Sequence, residues 1–398
     1  GFLASCYWCF DFLNPTEFSG MTSYPVHSIR IHTSNSLFVD FPDGRLLRID
    51  QEGRWSSWQN GNALYRRTLN GEIIKISDQT YNKIAENIQS KIFQRIKELL
   101  ILIRKKIGDQ SNELYLSSGN YIKVKNWIQK AIHRLSKPLG YEKKLYEKAY
   151  PKGIQILPPD RYRDLVIQPA FGCPSGNCTF CAFYKNKRFR VRSDQDFSLH
   201  LQAVKNLFGA AIKYRNGIFL DSGSALSLSQ RRITKVLDAI EKTLPNTKRG
   251  VAAFLDPNHS PKRGAREYAA LKKRGLAQVT IGLETGYPQL RKKLGKSKDL
   301  ASLKETINAL KKAGIQVALT VLVGAGGADY IDIHKSKTIR FIQNLNLTPE
   351  DIIYLSPLRG ALSPSSLRSE TAAFKDSLKY ITNSRISPYN MDRFYYFS

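Results

Sequence analysis

The chain of 398 residues is poor in cysteine and histidine, with five of the first and six of the second. Three of those cysteines fall inside one nonapeptide, which leaves no even spread of thiols for a secreted disulfide framework. The histidines show no ligand spacing that would complete a zinc site. Long apolar runs are missing as well. The best candidate, Leu99 to Ile103, is cut by Arg104, Lys105 and Lys106, far short of the roughly 20 residues that a membrane helix needs. The opening Gly1-Phe2-Leu3-Ala4-Ser5 has neither methionine nor a basic leader and makes a poor signal peptide. Met21 is an alternative start, with residues 1–20 then a doubtful leader or an over-extended reading frame. Acidic residues are scarce too, 33 Asp and Glu against 62 Lys and Arg, for a formal net charge of +29. These absences point to a cytoplasmic protein without a membrane partner.

What the chain does hold is the stretch Cys173-Pro174-Ser175-Gly176-Asn177-Cys178-Thr179-Phe180-Cys181, directly after the apolar run Leu165 to Phe171. Thiolates are soft ligands suited to iron–sulfur clusters, and a cubane cluster normally takes four. Three local cysteines would hold three irons and leave the fourth open to a small molecule. Zinc would want a fourth protein ligand, and none is close in sequence. A second pair, Cys6-Tyr7-Trp8-Cys9, lacks the further pair that a zinc or auxiliary-cluster site requires and reads as incidental. The excess of positive charge attracts anions, RNA foremost among the large ones. Basic residues are nevertheless spread along the chain rather than blocked, as on ordinary solvated faces.

Residues 29–76 read as strands and turns, with Pro42-Asp43-Gly44 and Asn70-Gly71 as turn signals. The apolar period then changes. Ile84, Ile88, Ile92, Ile96 and Leu99 predict a helix over 78–106, and a second helix is expected near 121–135. From about residue 160 apolar strands alternate with amphipathic helices. The strands are expected at 163–168, 217–221, 250–255, 277–283, 316–323 and 352–355, and a helix near 367–381. This alternation implies a parallel sheet covered on both faces. Six strands are two short of a closed eight-stranded barrel, so the expected fold is α/β: a partial (βα)6 TIM-like barrel with an N-terminal α+β extension. The expected divisions are the doubtful leader 1–20, the extension 21–158, the barrel 159–355, and a tail 356–398 packing on the barrel. Functional residues then belong at the C-terminal ends of the strands.

With its three-cysteine loop after the first strand of such a barrel, the sequence resembles the radical S-adenosylmethionine (SAM) enzymes over roughly residues 160–345. It is distantly similar to their oxygen-independent coproporphyrinogen oxidase branch. The usual spacing there is C-x3-C-x2-C, whereas this chain has C-x4-C-x2-C; a loop with Pro174 and Gly176 can absorb the extra residue. Asp221-Ser222-Gly223-Ser224 ends the second strand, where related enzymes carry a Gly-Gly-Glu-like turn contacting the methionine amino group. Glu284, in Ile281-Gly282-Leu283-Glu284, stands where a family member holds SAM. Lys296, twelve positions on, stands where the coproporphyrinogen oxidases place a basic residue for the SAM carboxylate. Gly324, in Val323-Gly324-Ala325-Gly326-Gly327, resembles the glycine turn near the adenine, with Phe180 packing nearby.

The resemblance implies a 4Fe–4S cluster on Cys173, Cys178 and Cys181. It further implies reductive cleavage of SAM to a 5′-deoxyadenosyl radical, hydrogen abstraction from a substrate, and an external electron donor of the flavodoxin or ferredoxin type. Asp256, His259 and Tyr354 are the candidate catalytic residues, with His334 a further candidate proton donor. Arg188-Phe189-Arg190-Val191-Arg192 reads equally as an anion clamp or a half-buried strand. An anion-bearing small molecule is the expected substrate. RNA modification and a non-catalytic iron–sulfur redox protein are the alternatives.

Overall fold

Two hydrophobic patterns, one alternating and one continuous, build two sheets. The computed structural model describes residues 28–390 and 394–397, apart from Gln79, Leu139 and Asn186. Cys6, Cys9, Met21 and the doubtful leader 1–20 lie outside the described residues.

The alternating pattern forms a meander of β1 (Ile29–Thr33), β2 (Leu37–Asp40), β3 (Leu46–Ile49), β4 (Trp55–Asn60), β5 (Ala63–Arg67), β6 (Ile73–Ser77) and β7 (Thr80–Lys83). It is followed by α1 (Glu86–Gly108), β8 (Leu114–Leu116), α2 (Tyr121–Leu135) and α3 (Tyr141–Ala149). The eight strands lie in the order β7-β6-β5-β4-β3-β2-β1-β8. Neighbours are antiparallel except β1 and β8. One face of the sheet meets α1 and α2 in a core that includes Ile31, Leu47, Trp55, Ile96, Leu100 and Ile128. The expected helix over 78–106 is corrected at its start. Asp78 turns the chain with φ 47°, and Thr80–Lys83 pairs with β6 before the helix begins at Glu86. The buried stripe runs through Ile96, Leu99, Leu100, Ile103 and Ile107, while Ile88 is 47% exposed.

The continuous apolar runs form a second sheet, and all its paired neighbours are parallel. Its strands are β9 (Leu165–Ile167), β12 (Ile218–Leu220), β13 (Val251–Leu255), β14 (Leu276–Glu284), β15 (Gln316–Val323), β16 (Ile352–Pro357) and β17 (Arg385–Pro388). Between β9 and β12 lie the short β10 (Ala170–Phe171) and β11 (Arg190–Val191), which pair with each other, and then α4 (Asp194–Phe208). The other crossovers are α5 (Gln230–Thr243), α6 (Ala265–Lys272), α7 (Pro288–Lys293), α8 (Leu300–Lys312), α9 (Ile331–Gln343) and α10 (Pro364–Ile381). The sheet order β17-β16-β15-β14-β13-β12-β9 follows the chain without a reversal, as in a partial TIM barrel. The six strands read from the sequence are present, and β17 adds a seventh at the edge. Odd-numbered residues of β14 and β15, among them Val279, Ile281, Val317 and Leu319, pack under the helices. Even-numbered ones from Gln278 on face the lumen.

A buried polar group fills the N-terminal end of the lumen. Arg161 is 1% exposed and bonds Asp164 at 3.0 Å and Gln278. The two sheets are tied together by Arg54, which pairs with Asp50 and donates to the Leu207 and Phe208 carbonyls at the end of α4. A cation is favoured there by the helix dipole. No helix among the described residues is long and apolar enough to cross a membrane.

Candidate active site

The cysteine loop leaves the barrel after β10 and returns at β11, and the pairing of these two strands closes its base. Its path is set by glycines at three close approaches. Gly172 has φ +72°, and a Cβ there would lie 2.5 Å from the carbonyl oxygens of both Lys187 and Arg188. Gly223, just past β12, packs directly on Cys173: a Cβ would sit 2.7 Å from Sγ and 3.0 Å from Cα. The Gly223 amide also donates to the Gly172 carbonyl at 2.8 Å. Gly295, past α7, would bring a Cβ to 3.0 Å from the Asn177 carbonyl carbon and 3.2 Å from Cys178 Cα. Thr179 then donates its amide to the Leu294 carbonyl at 3.2 Å. The four-residue interval between the first two cysteines is therefore seated against two other rim loops.

Cys173, Cys178 and Cys181 are free thiols, each partly buried. Burial pushes the Cys173 thiol up, opposed by the amides of Gly176 and Ser175 that donate to it. Burial likewise raises Cys178, opposed by the Lys296 ammonium. Among the described residues no three Cys, His, Asp or Glu side chains converge on a single metal ion. A cubane makes a different demand, since each thiolate binds its own iron.

Beside the loop stands a buried charged triad. Asp256 follows β13, Glu284 ends β14, and Lys296 follows α7. Lys296 Nζ lies 3.6 Å from Asp256 Oδ2 and 3.8 Å from Glu284 Oε1. Burial works against each charge. Its neighbours overcome it at two of them: Asp256 is held below its usual range by Lys296 and His259, and Lys296 is raised by Asp256 and Glu284. At Glu284 burial prevails and the carboxyl is pushed up. Glu284 also has a left-handed backbone, φ 61°, at an irregularity in the pairing of β14 with β15. Its Oε2 is buried without a hydrogen-bond partner. Such a backbone is uncommon outside glycine and stores strain. Gly282 makes room for the pair, because a Cβ there would lie 3.0 Å from Lys296 Nζ and 3.2 Å from Glu284 Cδ. His259 Nδ1 is 3.3 Å from Asp256 Oδ2, and the Asp256 amide donates to Ser224 Oγ at 2.9 Å.

The remaining residues expected from the sequence divide. Ser222 Oγ is buried and unpartnered. Asp221 is fully engaged, Oδ1 accepting from Tyr184 and Oδ2 from Gln168, both at 2.8 Å. Burial pushes its carboxyl up to about 6. Phe180 packs with Leu290, Leu294, Leu322 and Ala325, beside Tyr287 and Tyr330. Gly324 turns the chain after β15 with φ +80° and lies against Leu362 and Leu367. Tyr354 is 0% exposed and donates to Asp160 in the polar floor, within a buried cluster against which Cys173 and Cys181 pack. His334 is held by Thr285 at 2.8 Å and the Leu322 carbonyl at 2.9 Å, and burial lowers it to about 4. Of the arginines, Arg192 is buried on the Gln168 carbonyl and Asp196, whereas Arg188 and Arg190 are exposed. Sequence reading gave Gln168, Tyr184 and Gly295 no part in the site and carried Ser224 and Gly282 only as neighbours of Asp221 and Glu284. Only the two glycines left a signal, each lying within two residues of a charged triad member.

Residues 167–337 match the family described as the Radical SAM superfamily. Among solved structures, the chain is similar to the cobalamin-dependent S-adenosylmethionine radical enzyme OxsB at 16% identity and a TM-score of 0.38, covering 55% of this chain and 31% of that one. It is similar to Streptococcus suis SuiB bound to S-adenosylmethionine at 16% identity and a TM-score of 0.41, covering 83% and 71%. For HemN, the coproporphyrinogen III oxidase of Escherichia coli, the values are 13%, 0.38, 62% and 51%. The chain thus spans about a third of the length of OxsB. No curated protein matches it.

Proposed function

With residues 167–337 belonging to the radical SAM superfamily, whose enzymes use a 4Fe–4S cluster and S-adenosylmethionine, we propose that Cys173, Cys178 and Cys181 hold the cluster and that Asp256, Glu284 and Lys296 hold SAM beside it. When bound, these two cofactors supply a 5′-deoxyadenosyl radical that takes a hydrogen atom from a small-molecule substrate.

The observation that carries this reading is the charge of the rim. SAM brings a sulfonium, an ammonium and one carboxylate. The rim offers the mirror image, two carboxylates around one ammonium within 3.6 and 3.8 Å. In a site this buried, such matching is far stronger than in water. Glu284 adds a carboxylate oxygen with no protein partner, held in place by a backbone that costs about 1–3 kcal/mol to maintain. Ser222 and Gly223 form the wall on the Cys173 side: Gly223 packs on Cys173, and the buried Ser222 hydroxyl, without a partner, offers a bond to a ligand's polar end. Phe180 and Gly324 provide the apolar side for an adenine ring. Asp221, engaged by Tyr184 and Gln168, shapes the turn rather than meeting the ligand. His259, beside Asp256, is the residue we assign to holding a proton at the mouth. The same charge count disfavours an anionic substrate group at the triad, so the substrate's polarity is read elsewhere.

Anaerobic reconstitution with iron, sulfide, SAM and a reductant tests the proposal. The expected product is 5′-deoxyadenosine, and Glu284→Gln should weaken SAM binding at least tenfold with iron content unchanged. A protein that keeps its cluster yet neither binds nor cleaves SAM would be an electron carrier, and the proposal would fall.

A further inference from the structure

The lumen of the barrel has a middle zone between its two charged ends. Asp256, Glu284 and Lys296 stand above it, and Arg161 with its partners Asp164 and Gln278 lies below. Between these ends, the lumen faces of β13 to β16 carry no charged side chain among the described residues; they include Phe254, Thr280, Thr320, Tyr354 and Ser356. The lumen is not packed shut at this level. Gly282 and Phe254 keep partial exposure, while their strand neighbours Ile281, Leu283, Ala253 and Leu255 are at most 3% exposed. Thr280 and Ser356 are each 1% exposed, and their hydroxyl oxygens are buried without a hydrogen-bond partner. Rings and aliphatic groups supply the rest of the lining. Tyr354 and Tyr389 have ring centroids 5.5 Å apart and share one cluster with Ala318, Ile352 and the partly buried Phe254.

We infer that this middle zone seats the substrate and selects an uncharged molecule, a ring-sized apolar body carrying an amide, carbonyl or alcohol group. The inference rests on the SAM assignment above, which occupies the triad, and it replaces the anion expected from the sequence. A buried hydroxyl without a partner has given up its bonds to water and gained none, so native interiors seldom keep one. Thr280 on β14 and Ser356 on β16, with β15 between them, are thus two points where a bound molecule restores a hydrogen bond. A hydroxyl both donates and accepts, which suits amides and alcohols alike. A carboxylate, phosphate or ammonium would lose its hydration there and meet no counter-charge on these faces. The nearby charges are already engaged: Arg161 by Asp164 and Gln278, Asp160 by Tyr354, and Asp221 by Tyr184 and Gln168. The rings of Phe254, Tyr354 and Tyr389 offer an apolar body its packing surface.

Benzamide, benzoate and benzylamine have nearly one shape and differ in charge. Equilibrium dialysis of each against the anaerobically reconstituted protein, with and without SAM, is the test. Benzamide should bind at least about tenfold more tightly than either ion. Thr280→Val and Ser356→Ala should each weaken benzamide about fivefold, the worth of one hydrogen bond, and Thr280→Ser should keep its affinity. Neither hydroxyl loss should lower the melting temperature of the ligand-free protein, because no bond within the chain is broken; a hydroxyl with a structural role would lower it. SAM binding should be the same in all three variants. Either ion binding as tightly as benzamide, no binding of benzamide, or benzamide affinity unchanged in both Thr280→Val and Ser356→Ala would overturn the inference. Loss of SAM rather than benzamide in Thr280→Val would also overturn it, by giving that hydroxyl to the cofactor. An unsubstituted protein that fails to bind SAM yet keeps the benzamide pattern would remove the SAM assignment and leave the lumen its neutral ligand.

Discussion

Gly295→Ala asks whether the long interval between Cys173 and Cys178 is held in one place. Gly295 has φ +73°, a conformation that costs a residue with a Cβ about 1–2 kcal/mol. The added methyl would also lie 3.0 Å from the Asn177 carbonyl carbon and 3.2 Å from Cys178 Cα, and closer still to the Asn177 oxygen. Those are backbone atoms and cannot swing aside, so an overpacking cost of about 1–3 kcal/mol is added. Gly44 separates the two contributions. Its φ is +80° and nothing lies within 4 Å of its virtual Cβ, so Gly44→Ala carries the backbone cost alone. Gly295→Ala should unfold at lower denaturant than Gly44→Ala by the overpacking share. After anaerobic reconstitution it should hold less iron per chain and give a shifted electron paramagnetic resonance signal, while Gly44→Ala matches the unsubstituted protein. If Gly295→Ala reconstitutes to full iron with an unshifted spectrum and equals Gly44→Ala in stability, the loop is not seated on Gly295.

Three further outcomes are expected. Lys296→Met removes the only cation between Asp256 and Glu284 in the buried triad, and stability at neutral pH should drop by about 3–5 kcal/mol. The two carboxyls would then titrate above their unfolded values, so the deficit should shrink as pH falls through those raised values, which denaturant melts at neutral and acidic pH would reveal. His200 and His334 are lowered by burial to about 3 and about 4. The unfolded chain binds their protons first, so their stabilisation is lost as pH falls below about 6.5. Asp221, raised to about 6, works the other way, leaving a net loss of about 3 kcal/mol at about pH 4.5; His200→Gln should flatten that slope. Tyr354→Phe should cost about 1 kcal/mol for the lost bond to Asp160 and leave SAM binding unchanged in a calorimetric titration. A weakened titration would put Tyr354 back at the rim.

Much of the barrel could be read in advance because its strands are continuous apolar runs bounded by glycine or charge, as with Gly250 before β13 and Glu284 at the end of β14. The meander was visible where turn chemistry is strong, as at Asn70-Gly71 between β5 and β6. Two of the edge strands, β7 and β17, were not. They are four residues each, pair on one side only, and carry Asn82 and Pro388, residues disfavoured inside sheets. Around the candidate site, the sequence named Asp256, Glu284 and Lys296 but not their contact, since it depends on where separate rim loops end up. Nor did it disclose that Asp221 was occupied, because its partners Gln168 and Tyr184 come from two other segments. The left-handed backbone of Glu284 has no sequence signature at all; glutamate is not the residue that such a conformation would suggest.

The tail after β17 has a consequence for how the chain reaches this state. The Tyr396 carbonyl accepts the Leu69 amide at 2.9 Å, and the Tyr396 hydroxyl, also buried, donates to the Asp164 carbonyl 232 residues away in sequence at 2.5 Å. One residue near the end of the described chain therefore bridges the meander and the first barrel strand. During synthesis the meander and its helices emerge early, yet this seam stays open until the barrel strands and α10 have left the ribosome. Closing a loop that long carries an entropic cost and slows the step that does it. The chain would meet the cell's proteases and chaperones with its two sheets joined at Arg54 but not yet at Tyr396, and the locking of Tyr396 would set how long that exposure lasts.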